Sequence, residues 1–187
     1  MKPSLTDTLC TRCGLCCDGS LFADVELANG AETAALEVMG LEIEEEESRG
    51  LLLQPCRALK GKRCSIYPHR PDCCRTFECR LLQEVRRGAV SVEQAKEKIA
   101  EALKRIKRVK EMIIQLGQTN ERLPLKERCM GALAASEEAN PDPEMNRKRI
   151  ELESAMISLE SLIEATFFGY DRRDEEPADA KRAILGT

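Results

Sequence analysis

Apolar residues recur along the second half of the chain at alternating spacings of three and four. After Ser91, a suitable N-cap, the residues Val92, Ala95, Ile99, Ala102, Ile106, Val109, Ile113 and Leu116 form a heptad stripe that Gly117 stops. A second stripe follows Pro141 and Pro143. It runs through Met145, Leu152, Ala155, Leu159 and Leu162, is widened by Met156 and Ile163, and ends at Phe167-Phe168-Gly169. Two long amphipathic helices in this arrangement predict an antiparallel helical hairpin. Residues 120–140 form its connector, with a helical turn expected after Pro124 around Cys129. From Asp171 onward the tail is charged and expected to fray.

The first half is less periodic. Leu21 to Leu27 alternates well enough for a strand, and Ala31 to Met39 reads as a short helix closed by Gly40. The acidic run Glu42 to Glu47 reads as a solvated loop. Leu51-Leu52-Leu53 and Cys64 to Tyr67 look like short strands flanking a turn near Lys60-Gly61. Pro-His-Arg-Pro then breaks the pattern, and Phe77 to Arg87 reads as a helix closed by Gly88. The fold class is therefore α+β and mostly helical. An irregular, metal-stapled cysteine-rich domain (residues 1–88) precedes the hairpin (89–170) and a charged tail (171–187).

Composition narrows the function classes. With 33% charged and 42% hydrophobic residues, the 187-residue chain reads as a soluble globule, and its core must be aliphatic because Trp is absent. No apolar run reaches the roughly 20 residues of a membrane helix. The N-terminus lacks the apolar stretch of a signal peptide, so a cytoplasmic location is expected. A net charge of −4 does not mark a nucleic-acid binder.

Cysteine is the exception. Nine of the ten cysteines lie between Cys10 and Cys79. In a reducing compartment such density points to metal ligation or redox chemistry rather than disulfides. Cys10-Thr-Arg-Cys13-Gly-Leu-Cys16-Cys17 places thiols three apart, and Gly14 permits the positive φ that a curling loop uses. Such spacing occurs in zinc knuckles, whereas C-x2-C-G-x-C is what a bacterial ferredoxin wraps around a cubane cluster. The fourth ferredoxin cysteine is missing, so remote cysteines must complete any site: Cys56, Cys64, Cys73, Cys74 or Cys79. Residues 56–87 carry nine Lys or Arg against three Asp or Glu. That excess suits a site of ionised thiolates better than nucleic acid, since aromatic residues for base stacking are scarce.

These cysteine blocks carry a resemblance. CTRCGLCC, Pro55-Cys56, and Cys64-Ser-Ile-Tyr-Pro-His-Arg-Pro-Asp-Cys-Cys-Arg-Thr-Phe-Glu-Cys79 resemble the YkgJ-type cysteine-cluster family, the CxxCxxCC zinc- or iron-chelating domain. The resemblance covers roughly residues 7–82. It implies Cys10, Cys13, Cys16, Cys17, Cys56, Cys64, Cys74 and Cys79 as metal ligands. Cys74 is preferred over Cys73 because Arg75 follows it. The implied cofactor is an Fe–S cluster or zinc, and the ferredoxin-like spacing tilts the choice toward iron. Similar domains occur within larger flagellin lysine N-methylases, so the alternative is a metal- or cluster-dependent enzyme. The chain shows no Gly-rich strand-to-helix turn for a nucleotide-like methyl donor and no nucleophile–base pair. The reading therefore leans away from catalysis, toward an electron-transfer or metal-handling module.

Other candidates take structural readings. His69 is read as a turn residue, Tyr67 and Phe77 as packing around the cysteines, and Cys129 as a small buried hydrophobe. Lys104 to Lys110 is the solvated face of its helix. The hairpin offers a surface for a protein partner or for self-association, while membrane and nucleic acid are not expected partners.

Overall fold

Ser91 and Gln94 close a reciprocal cap. The Ser91 hydroxyl accepts from the Gln94 N–H at 3.1 Å, and the Gln94 side chain accepts from the Ser91 N–H at 2.9 Å. From this start α5 (Val92–Gln115) runs uninterrupted, and the stripe from Ala95 to Leu116 is buried along its length. The computed structural model describes residues 4–134 and 142–169. The end of the connector at 135–141 and the charged tail at 171–187 lie outside the described residues.

The other helices are α1 (Leu5–Cys13), α2 (Gly30–Val38), α3 (Asp72–Thr76), α4 (Arg80–Arg86), α6 (Leu125–Ala134) and α7 (Pro143–Ile163). A π-helical turn over Glu164–Phe168 continues α7. Strands β1 (Asp24–Glu26), β2 (Ile43–Glu46) and β3 (Arg49–Leu53) form an antiparallel sheet of order β1-β3-β2. A two-stranded ribbon pairs β4 (Leu59–Lys60) with β5 (Arg63–Cys64). The chain is thus mostly helical α+β, and no helix among the described residues is long and apolar enough to cross a membrane.

Two separate cores hold these elements. The larger one joins the α5 stripe to Leu152 and Leu159 of α7, Leu125 and Cys129 of α6, and Leu81, Leu82 and Val85 of α4. Leu9 of α1 and the fully buried Leu15 enter it from the cysteine-rich end. Because the α5 stripe is buried inside the chain, that seam is not available to a second copy. The smaller core holds Leu27, Leu36, Leu41, Leu52 and Ala58, packed by α2 and the three-stranded sheet. Gly50 lets α2 approach the sheet, since a Cβ there would sit 2.5 Å from the Thr33 hydroxyl.

Local differences from the sequence reading have identifiable causes. The acidic run is an edge strand rather than a loop, because Ile43 packs on the smaller core while Glu44, Glu45 and Glu46 stay in water. The expected strand at Cys64 to Tyr67 ends at Cys64, where the chain enters a 3₁₀ turn over Tyr67–His69 containing Pro68. The helix expected from Phe77 starts at Arg80, because Phe77 and Cys79 are extended. A short helix not foreseen, α3, carries Cys73 and Cys74. Cys10 and Cys13 lie on a helix instead of a curling loop, and Ser4 with Asp7 caps it reciprocally.

Replacing Ile113, 0% exposed, by Ala removes packing that cannot collapse onto its rigid neighbours and should cost about 2–5 kcal/mol. The adjacent Ile114, 45% exposed, should tolerate Ala within about 0.5 kcal/mol. Urea denaturation of the two variants checks this, and equal losses would contradict the assigned helix face.

Candidate metal centre

Four cysteines are delivered by α1 and the turn that leaves it. Cys10 and Cys13 lie three apart, on one face of α1. Gly14, at φ 74°, ends the helix by donating its N–H to the Cys10 carbonyl. The Cys17 N–H then donates to the Gly14 carbonyl at 3.0 Å, which curls Cys16 and Cys17 back. Leu15 anchors this turn in the larger core, and Asp18 pairs with Lys110 of α5 at 3.1 Å.

The remaining cysteines arrive from the other side. The Cys56 N–H donates to the Cys17 carbonyl at 2.8 Å, tying the two segments directly. Cys64 sits on β5 opposite Leu59. The Asp72 N–H at the start of α3 donates to Glu32 of α2 at 2.8 Å, which docks the helix bearing Cys73 and Cys74. Cys79 occupies the N-cap position of α4.

All nine line one cavity of about 580 Å³ between the two cores, with walls from Leu81, Leu82 and Phe167 on one side and Leu41 and Leu52 on the other. Every expected ligand is there: Cys10, Cys13, Cys16, Cys17, Cys56, Cys64, Cys74 and Cys79, with Cys73 beside them. Cys129 is buried in the larger core away from the cavity, and His69 is exposed and does not line it. Among the described residues, no three His, Cys, Asp or Glu side chains stand close enough together to grip an ion. The thiols surround the space instead of meeting at a point.

Burial dominates the ionisation of these thiols. Lost hydration, then the neighbouring Cys79, pushes Cys10 up to about 11, although the residue is exposed overall. Burial raises Cys13 and Cys17 to about 12, and raises Cys16, Cys56 and Cys79 as well. Cys74 donates its S–H to Cys73, which holds Cys73 below the usual thiol range and Cys74 above it.

The donor set fits a thiophilic metal. It consists of sulfur, the ligand that zinc and iron–sulfur clusters take four at a time. Backbone N–H groups already point at three of the sulfurs: Leu15 at Cys13, Ala58 and Leu59 at Cys56, Leu81 and Leu82 at Cys79. Such donors favour thiolate over thiol and form the outer support a metal site needs. Arg70 adds positive charge felt by both Cys10 and Cys17.

Sequence reasoning counted the arginines as charge and missed their second use. Arg75 donates to the carbonyls of Arg70 at 2.6 Å and Pro68 at 3.2 Å, and Arg70 lies over the Tyr67 ring at 3.6 Å. Together they brace the loop between Cys64 and Cys74. Phe22 packs edge-on against Phe77 at 5.2 Å and Phe168 at 5.6 Å, joining the cavity wall to the end of α7. The basic run on α5 is engaged in pairs, Arg105 with Glu101 and Lys107 with Glu111. Glu32 carried no recognisable signal. The helix holding Cys10 and Cys13 did, in Ser4-x-x-Asp7.

With metal stripped, these thiols destabilise the fold at alkaline pH. The unfolded chain ionises near 9.0 while folded Cys13 and Cys17 hold their protons to about 12. The folded state therefore binds more protons in that window, and stability falls as pH rises through it. Urea midpoints of the metal-free protein should be level below pH 8 and decline from about pH 9; a level profile to pH 11 would refute the buried-thiol picture.

One family model matches the chain, over residues 9–129: CxxCxxCC, "Putative zinc- or iron-chelating domain". No curated protein and no solved structure matches it. The matched span begins inside α1, takes in every cavity-lining cysteine, and ends at Cys129 of α6. By that match and by its cysteine blocks, the chain belongs to the CxxCxxCC family.

Proposed function

We propose that the thiol-lined cavity is a metal centre and that the protein works by holding zinc or iron there. Cys10, Cys13, Cys16, Cys17, Cys56, Cys64, Cys74 and Cys79 are the ligands. The observation that carries this reading is the convergence of four separate chain segments, each bringing cysteines, on one cavity. Closing on a metal takes rotation about Cα–Cβ bonds, which moves sulfurs while the hydrogen-bonded backbone stays in place. The metal also supplies the charge that lets thiols ionise where burial opposes it, so loading releases protons.

Iron is favoured over zinc by the spacing of Cys10, Cys13 and Cys16. Binding, in electron transfer or metal handling, is favoured over catalysis. Two of the cavity's cationic side chains, Arg70 and Arg75, are engaged on backbone carbonyls. We read α5 and α7, as an antiparallel hairpin, as the buttress against which α1 and α4 are set. Cytoplasmic residence accords with reduced thiols.

Anaerobic purification followed by elemental analysis and a visible spectrum tests the reading. Iron with labile sulfide and a brown colour would support the cluster; zinc without colour would support thiolate zinc. A chain carrying neither, and taking up neither on reconstitution, would refute the proposal. Serine at any of the eight ligands should lower metal content, whereas Cys129→Ser should leave it unchanged. Because the smaller core has only five buried residues, a strong chelator should unfold the sheet and ribbon while α5 and α7 keep their helicity in circular dichroism.

A further inference from the structure

Resting on the metal-binding reading, we infer that the cavity holds two centres of four thiolates each. Cys10, Cys13, Cys16 and Cys79 supply the first. Cys17, Cys56, Cys64 and Cys74 supply the second. The two meet at the peptide bond between Cys16 and Cys17.

The backbone makes this division. Cys10 and Cys13 share a face of α1, Cys16 leaves it through the Gly14 turn, and Cys79 begins α4. Both helices are mounted on the larger core, and Cys13 and Cys79 themselves pack against it. Cys56 and Cys64 pack instead against the smaller core, at the base of the β4–β5 ribbon. Cys17 joins them through its carbonyl, which accepts from the Cys56 N–H. Each set is therefore carried by elements packed on its own core.

Cys74 joins the second set on α3, whose Cys73 packs against the smaller core and whose first N–H is held by Glu32 of α2. Of the adjacent pair, Cys74 is taken as the ligand because Arg75 follows it, as the family resemblance implies, and Cys73 is left as the ninth thiol.

Four is also the number that the chemistry asks for. A zinc ion or an iron–sulfur cluster is satisfied by four protein sulfurs, so a single centre would leave four buried thiols unused. With Cys16 and Cys17 assigned to different centres, each chain neighbour serves the core on its own side.

Cobalt(II) titration of the anaerobic, metal-stripped full-length chain tests the division, because tetrahedral thiolate–cobalt absorbs strongly in the near ultraviolet. Two cobalt ions per chain are expected. Cys13→Ser and Cys64→Ser should each halve the charge-transfer absorbance at saturation. The same-set double variant Cys13→Ser/Cys79→Ser should still retain half. The cross-set double Cys13→Ser/Cys64→Ser should retain none, and Cys73→Ser should retain all. One ion per chain, or a same-set double that loses both centres, overturns the division. Should a variant fail to fold, the wild-type loaded chain gives a second readout. On graded chelation followed by alkylation and mass spectrometry, Cys10, Cys13, Cys16 and Cys79 should become reactive together and separately from Cys17, Cys56, Cys64 and Cys74. Exposure of all eight in one step overturns the division. A wild-type chain that binds no cobalt overturns the metal-binding reading itself, which separates the two failures.

Discussion

Moving a thiol out of water removes the hydration that its anion needs, and burial does this to Cys10, Cys13, Cys16, Cys17, Cys56 and Cys79 around one cavity. The cost keeps these six sulfurs protonated at neutral pH, and positive charge placed among them reverses it. The two cores, the helix ends and the basic residues are all arranged about that constraint. The larger core brings α1 and α4 to the cavity; the smaller core brings the sheet, the ribbon and α3. Neither core encloses the thiols alone, so the space between them is where the chemistry lies.

Most of the polar side chains around the cavity do mechanical work. Arg70 and Arg75 fasten the loop that leads to Cys74, using carbonyls that Pro68, Pro71 and the short helices leave without partners. Lys110 reaches from the C-terminal turns of α5 to Asp18, beside Cys17, and so ties the cysteine turn to that helix. Exposed ion pairs such as Arg105 with Glu101 are screened by water and contribute little. Lys110 and Asp18 are more sheltered, and their value lies in position.

The helical half was legible because its period is long and its stripe regular: Ala95 to Leu116 are buried as the spacing indicates. The eight cysteines proposed as ligands were named through the resemblance, and all of them line the cavity. What escaped reading was short. Five-residue α3 is too brief for any periodicity to show, and β1 holds only the middle of the strand expected over Leu21 to Leu27. The acidic strand β2 was hidden because one half-buried residue, Ile43, decides its conformation while its composition suggests solvent. The proposed grouping of cysteines was invisible for a different reason. It depends on which core each segment packs against, and no spacing along the chain encodes that.

Glu32 gives one consequence of another kind. Its two carboxylate oxygens accept from Ala28, just ahead of α2, and from Asp72, at the start of α3. The chain between Glu32 and Asp72, forty positions apart, thereby has its two ends pinned. Closing such a loop costs little more when it grows, since the entropy rises only with the logarithm of its length. The tip of the β2–β3 hairpin at Glu47 and Ser48 is exposed and lies within that span. It is the place where this chain can gain residues, or accept a graft, without displacing a single sulfur.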